Sequence, residues 1–260
     1  MVTGSAILFF FCFWLTKLFS LVQRLNPTID NIIHTIVGAL PKPEFVIKND
    51  SGTFVVQAFD DSMTICSSYF EKELRGWLER TTTKDIFVDI GANRGIYTVI
   101  ASHQFGFAKV HAFEPNPEVF TILQKNVTLN QIELVAMLHN AAIGDTSSIQ
   151  TLAVDPMLKG GGKITTEQTR NDVTMEINIV TLDSQFTPAD MGRVGFIKID
   201  TEGYEQKVLS GMIDTLTHMP TGSCLMIETT EPANIKAFLL PYHFNVIESR
   251  NTDYLFAKVA

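Results

Sequence analysis

Cysteine is scarce in this chain: three among 260 residues, Cys12, Cys66 and Cys224, far apart and odd in number. No CxxC pair occurs and no histidine stands near them at ligand spacing. That excludes a disulfide framework and a zinc ribbon and leaves buried, reduced thiols. Cations are also short, with 20 Lys and Arg against 28 Asp and Glu for a net charge of −8. General nucleic-acid binding needs clustered cations on the phosphates, so that class is excluded and only a local basic patch stays open. Internal repeats and low-complexity tracts are missing, which removes solenoids and biased linkers. A composition of 45% hydrophobic and 18% charged residues is not that of a disordered tail. A chain of this length can bury roughly 70–75% of its unfolded surface, so its core needs neither metal nor disulfide.

One long hydrophobic run is present, Ala6 to Leu15 (AILFFFCFWL), continuing with interruptions to Val22. A spanning helix needs about 20 apolar residues, and a signal h-region or core helix about 10–14. No cation precedes the run and no small-residue cleavage site follows, which disfavours a cleaved secretory signal. Lys17 and Arg24 lie on its C-terminal side, so the positive-inside tendency places the rest of the chain in the cytoplasm. Two readings stand for residues 1–25: membrane association through residues 6–22, or a helix buried against the protein or a partner. Aromatics this dense require a cover of some kind. Residues 26–84 read as a linker punctuated by Pro27, Pro41 and Pro43, with a short helix at Ile29 to Leu40. A hairpin follows, Phe45 to Val56 about Asn49-Asp50-Ser51-Gly52, then a helix from Tyr69 to Arg80 presenting Phe70, Leu74, Trp77 and Leu78.

Residues 85–260 alternate short β-rich runs with helical ones, the pattern of an α/β fold with a mostly parallel sheet covered on both faces. The strand candidates are Ile86–Ile90, Lys109–Phe113, Leu134–His139, Phe196–Ile199, Cys224–Ile227, Phe244–Glu248 and Tyr254–Lys258. Helices fit Gly95–Gln104, Pro117–Asn130, Tyr204–Gly211 and Ala233–Leu240. Between the third and fourth core strands, Ile149–Val154, Gly160–Gly162 and the alternating Met175–Leu182 read as an inserted hairpin with a glycine loop near a substrate mouth.

The sharpest motif is VDIGANRG, Val88 to Gly95, between the first core strand and its helix. Asp89, Gly91, Asn93 and Gly95 form a bend that lets a ligand approach the backbone, with helix-start amides pointing at it. A dinucleotide fingerprint has a second glycine where Asn93 stands. Glu114, nineteen residues past Gly95 in AFEPNP, closes the second core strand. A carboxylate there offers two oxygens to the two hydroxyls of a ribose. Bend and acid together point to a cofactor carrying an adenosine without a pyrophosphate.

VDIGANRGIYT, HAFEPNP, LHNAAIGD, VTLDSQF and FIKIDTEGYEQKVLSG, in this order, resemble the FkbM-type methyltransferases, a branch of the S-adenosylmethionine-dependent enzymes. IDTEGYE, Ile199 to Glu205, is the most specific block. The resemblance implies the class I Rossmann-like fold: seven strands, six parallel and the last antiparallel, preceded here by the hairpin and the hydrophobic N-terminal helix. It implies S-adenosyl-L-methionine as cofactor, with Asp89, Gly91 and Gly95 on its amino-acid half, Glu114 on its ribose and Asn140 and Ala141 flanking its adenine. The hydrophobic N-terminus is no part of the family pattern.

Methyl transfer to a hydroxyl needs positioning and removal of one proton. Asp200 and Glu202 follow the fourth core strand at the carboxyl edge, where α/β sheets bind ligands, and Asp200 is the first choice as base. The competing reading is helix capping, strongest for Glu202 and Glu205. Lys198 is read as a partner for these carboxylates rather than a catalytic group. No [DN]PP[FY] motif follows the strand, which favours oxygen over nitrogen as acceptor. The acceptor class is a small molecule, a glycan or a lipid-linked group. No metal set is read, although Asp200 with Glu228 approximates a carboxylate pair for a divalent cation. His111 and His139 read as structural. The glycosylation sequons at Asn49 and Asn126 read as idle in the cytoplasm. Two other functions stay open: an NAD-type oxidoreductase, and a non-catalytic membrane-associated binding protein that keeps the fold.

Overall fold

The computed structural model describes residues 43–58, 61–155, 161–164 and 173–260. The hydrophobic run 6–22 and the expected helix Ile29–Leu40 lie outside them. Among the described residues no helix is long and apolar enough to cross a membrane.

Strands β1 (Glu44–Asn49) and β2 (Gly52–Gln57) form the expected antiparallel hairpin, with Asn49 opposite Gly52. Its two-residue loop is closed by Asn49, whose Oδ1 accepts the Ser51 amide at 2.9 Å. The helix expected over Tyr69–Arg80 is broken. After a first turn, α1 (Ser62–Ile65), the chain makes only α2 (Lys72–Arg75) and a 3-10 turn, Gly76–Glu79. Glu71 sits in the left-handed region (φ 48°), and a helix cannot run through such a residue. Trp77, Leu78 and Leu74 still go into the core, so the apolar pattern reported burial correctly and geometry wrongly.

The core begins with β3 (Ile86–Ile90), buried at all five positions, then α3 (Ile96–His103), β4 (Lys109–Phe113), α4 (Pro117–Leu129) and β5 (Ala136–His139). Asn116 starts α4: its side chain accepts the Glu118 amide at 3.0 Å and Pro117 takes the first helical position. Strand β5 starts two residues later than expected, because Leu134 is fully exposed. The stretch before the fourth core strand folds into more than a hairpin. Strands β6 (Ala142–Ile143), β7 (Ser148–Val154), β8 (Lys163–Ile164) and β9 (Val173–Val180) make a separate sheet in the order β6-β9-β7-β8. Then come α5 (Pro188–Met191), β10 (Val194–Ile199), α6 (Glu205–Ser210), α7 (Ile213–His218), β11 (Cys224–Glu228), α8 (Pro232–Leu239), β12 (Phe244–Arg250) and β13 (Asp253–Lys258).

Seven of these strands pair in the order β12-β13-β11-β10-β3-β4-β5. Strand β13 is antiparallel to both neighbours and the other six run parallel, the architecture the resemblance implied. Alternation along each strand sorts side chains onto two faces. Phe87, Phe196, Met226 and Leu255 pack under α3, α4 and the hairpin side. Val88, Ile197, Leu225 and Phe256 pack under α6, α7 and α8.

The hairpin is fastened to the core by buried amides. Asn126 Oδ1 accepts the Val55 amide and its Nδ2 donates to the Arg94 carbonyl, both at 2.7 Å, while Asn130 bridges both backbone groups of Thr53. Asn126 is fully buried, so in the folded protein its side chain serves the fold. Asn126→Ala strands a buried N–H and a buried C=O, and should lower stability by about 2–4 kcal/mol. Urea unfolding should show this as a lower midpoint with an unchanged slope.

Candidate functional site

The carboxyl ends of β3, β4, β10 and β11 meet the amino end of the antiparallel β13 at one edge, and the acids singled out in the sequence gather there. Asp89 is buried on β3, on the face of Phe87. Its Oδ2 accepts the Thr98 hydroxyl at 2.6 Å, while Oδ1, equally buried, has no hydrogen-bond partner. Burial raises its pKa, opposed by Lys198 and the Thr98 hydrogen bond. An unsatisfied buried carboxylate oxygen is costly and calls for a donor from outside the chain.

The bend beyond Asp89 is closed by its own backbone amides. Gly91 and Ala92 both donate their amides to the Phe113 carbonyl (3.1 and 2.9 Å), and Gly95 donates to Ala92. The Asn93 amide donates to Glu114 Oε2 at 2.9 Å. These four amides are therefore spent inside the protein rather than aimed at a ligand. The bend supplies shape, and the helix-start amides are those of α3, which begins at Ile96 beyond these four. Gly91 has φ 77°, and a Cβ there would lie 1.9 Å from the Asp200 carbonyl oxygen, so the bend and the Asp200 loop are in direct backbone contact. Asn93 stands in the left-handed region (φ 51°) with its Oδ1 buried and unpartnered.

Glu114 closes β4 and is buried. Its two oxygens each take one backbone amide, Asn93 on Oε2 and Asn116 on Oε1 at 2.8 Å. Burial pushes its carboxyl up to about 7 against the pull of those two amides. A carboxylate has lone pairs for about four donors, so two remain for a diol. Asn140 Nδ2 donates to the carbonyls of Glu114 and Pro115 at 2.9 and 3.1 Å, which locks the turn after β4 to the end of β5. Ala141, next to it, is buried. His139 stacks on Phe113 with ring centroids 4.3 Å apart and lies 3.3 Å from His111. Burial first, then His139, pushes His111 down to about 4, the behaviour of a structural histidine.

On β10, Lys198 is buried opposite Asp89 in the strand register and donates to Asp200 Oδ2 at 2.8 Å. Burial alone lowers a lysine, but Asp200, Asp89 and Glu71 outweigh it and hold Lys198 firmly protonated. Its Nζ lies 5.0 Å over the Tyr97 ring, and the Tyr97 hydroxyl donates to Glu71 at 2.7 Å. The segment before the core is thereby tied to this edge. Glu205 braces the loop rather than capping the helix: its Oε1 takes the Thr201 hydroxyl and the Gly203 amide at 2.9 and 2.8 Å, both ahead of α6, whose start carries no side-chain cap. Glu202 is exposed, at φ 54°, and partial desolvation and then Asp200 raise its carboxyl. Two acids escaped the sequence reading of the site, Glu71 and Asp253, and Glu228 entered it only as a metal ligand. No local motif marks them, since their place depends on the order of strands. Among the described residues no group of three or more His, Cys, Asp or Glu side chains is placed to hold a metal ion.

A hexuronic acid methyltransferase, AglP of Haloferax volcanii, is 27% identical over 184 residues, covering 69% of this chain and 72% of its own. The 31-O-demethyl-FK506 methyltransferase FkbM of Streptomyces tacrolimicus is 24% identical over 50% of this chain and 60% of its own. Among solved structures, a methyltransferase FkbM from Methylobacillus flagellatus has a TM-score of 0.48 at 18% identity, covering 67% of this chain and 44% of that one. Residues 89–252 match the Methyltransferase FkbM domain, and with more than half its length inside that match the chain belongs to the FkbM methyltransferase family.

Proposed function

We propose that this protein transfers a methyl group from S-adenosyl-L-methionine to a hydroxyl of a small-molecule, glycan or lipid-linked acceptor. The observation that carries the reading is the pair of acids flanking the bend: Asp89 with a buried oxygen lacking a donor, and Glu114 with lone pairs left over. An α-ammonium fits the first and a ribose diol the second. Gly91, Asn93 and Gly95 shape the space between them, and Asn140 and Ala141 border the adenine side. When bound, the cofactor supplies an electrophilic methyl on a sulfonium.

The chain's own work is then to bind, orient and manage a proton. Lys198 holds one oxygen of Asp200 and leaves the other outside the pair, where it can orient the acceptor's O–H. Glu202, exposed on the same loop, stands at the entrance. Hydroxyl rather than amine acceptance is supported by the missing amino-group motif after β10 and by the O-demethyl substrate in the name of one relative. An NAD-type reading loses support from Asn93, which stands where a dinucleotide fingerprint has its second glycine. Membrane association through residues 6–22 and a cytoplasmic catalytic domain belong to the same proposal, on the sequence grounds given above.

Tritiated cofactor incubated with separated lipid, glycan and small-molecule fractions should place label in one of them, and label in none would refute the reading. A hundredfold excess of cofactor over its Kd should raise the melting temperature by about 5–10 °C, and Glu114→Ala should abolish most of that rise. NAD should leave the wild-type melting curve where it was.

Binding should depend on pH with a definite sign. A diol donates to the ionised carboxylate, and the empty protein holds a proton on Glu114 up to about pH 7. Affinity should therefore fall as pH drops below 7, approaching tenfold per pH unit, and calorimetry in buffers of different ionisation heat should detect proton release on binding at pH 6.5.

Lys198→Met leaves Asp89 and Asp200 facing each other without their cation. It should cost about 3–5 kcal/mol of stability in urea unfolding at pH 7, and less at acid pH, where Asp89, its carboxyl raised by burial, takes up a proton.

A further inference from the structure

Glu228 ends β11 and Asp253 begins β13, and the two are direct partners in the antiparallel register. Alternation puts both on the face of Met226 and Leu255, one pleat beyond the core and level with Asp200. Facing residues in such a ladder have their Cβ atoms about 4.5–5.5 Å apart, and like charges there are destabilising. Among the described residues neither acid makes an ion pair, and the nearby Lys198 is committed to Asp200. The turn before β13 keeps the two acids opposed. Thr229 donates its amide to the Thr252 carbonyl at 2.8 Å, and the Thr252 hydroxyl donates to Glu228 Oε1 at 3.2 Å. Arg250 of β12 stands opposite Asp253 on its other side and is committed to Glu73, as Lys198 is to Asp200, so the two carboxyls face each other with no cation of their own, and such a pair stores a place for one proton.

We infer that Glu228 and Asp253 act as a proton-sharing pair that takes the hydroxyl proton of the methyl acceptor, a role that rests on the methyl-transfer reading above. In the balanced step the acceptor's O–H bond breaks and its electron pair forms the new O–CH3 bond. The S–CH3 bond breaks with its pair going to sulfur, and the proton passes to the carboxyl pair, then to solvent through the exposed side of Glu228. The groups facing the pair are Asp200 and Lys198 from β10, Arg250 from β12, opposite Asp253 and paired with Glu73, Glu71 from the segment before α2, Tyr97 and Arg75 beyond it, and Thr252 from the turn. Burial, then Asp200 and Asp253, push Glu228 up to about 7. Burial, then Glu71 and Asp200, push Asp253 up to about 6. The two titrate as a unit near the pH at which a general base works best.

The sign of the stability effect gives a test that needs no acceptor. A carboxyl whose folded pKa is raised costs no stability below its ordinary value, and weakens the fold as pH rises through the raised one. Glu228→Gln and Asp253→Asn should each raise the melting temperature at pH 8 by about 2–4 °C, with no rise at pH 4.5. Carbon-13 carboxyl shifts of the wild-type protein should show the pair keeping a proton to between pH 6 and 7. With the acceptor fraction identified by tritium labelling, both variants should keep the cofactor-induced melting shift. They should lose about 10²-fold in kcat, and with it the rise of kcat/KM between pH 6 and 7. Both acids titrating near pH 4, or variants as fast as wild type, would overturn the inference. Absence of any label transfer by wild type would instead refute the methyl-transfer reading, and the shift and melting measurements would still decide whether the pair shares a proton.

Discussion

A single buried ammonium organises the functional edge of this protein. Lys198 lies in the middle of the sheet with acids on both sides: Asp200 two residues ahead on its own strand, Asp89 across the register on β3, Glu71 above. Removing an ammonium from water is costly, and only the surrounding carboxylates and the Tyr97 face make it tolerable here. The reverse also holds, because Asp89 and Asp200 could not stand so close to each other as anions without it. The cofactor bend and the loop after β10 are thus electrostatically one unit, and the contact of Gly91 with the Asp200 carbonyl makes them one unit sterically.

That arrangement divides labour among carboxylates of the same chemistry. Glu205 is a structural brace, and its oxygen is taken by its own loop. Asp89 and Glu114 keep free lone pairs toward the bend. Glu228 and Asp253 oppose each other across a ladder, where a salt bridge or an apolar pair would have been more stable. Acids placed against their own interest in stability at one edge of a sheet fit a site shaped by chemistry more than by folding.

The segment preceding the core is part of this edge. Glu71, in a left-handed conformation, accepts from Tyr97, and Arg75 donates to Ser51 and the Ser67 carbonyl. A continuous helix from Tyr69 to Arg80 could not place Glu71 there, so the break that defeated the periodicity argument is what brings an acid over Lys198. In the same way Glu228 and Asp253 are twenty-five residues apart in sequence, and no spacing rule links them until β13 inserts between β11 and β12.

From the order of residues alone came the strand–helix alternation, the hairpin at Asn49–Gly52, and the bend and acid at Val88–Gly95 and Glu114, because each is a local pattern of burial, turn chemistry or spacing. The same reading extended β5 over the exposed Leu134, drew Tyr69–Arg80 as one helix and held nothing of how the bend closes on itself. Those points depend on partners distant in sequence: the Phe113 carbonyl and Glu114 carboxylate that take the amides, the sheet edge that draws in Glu71, the register that opposes two acids. Hydrogen bonding and charge pairing between distant strands are decided when the sheet assembles, and the local sequence does not encode their geometry.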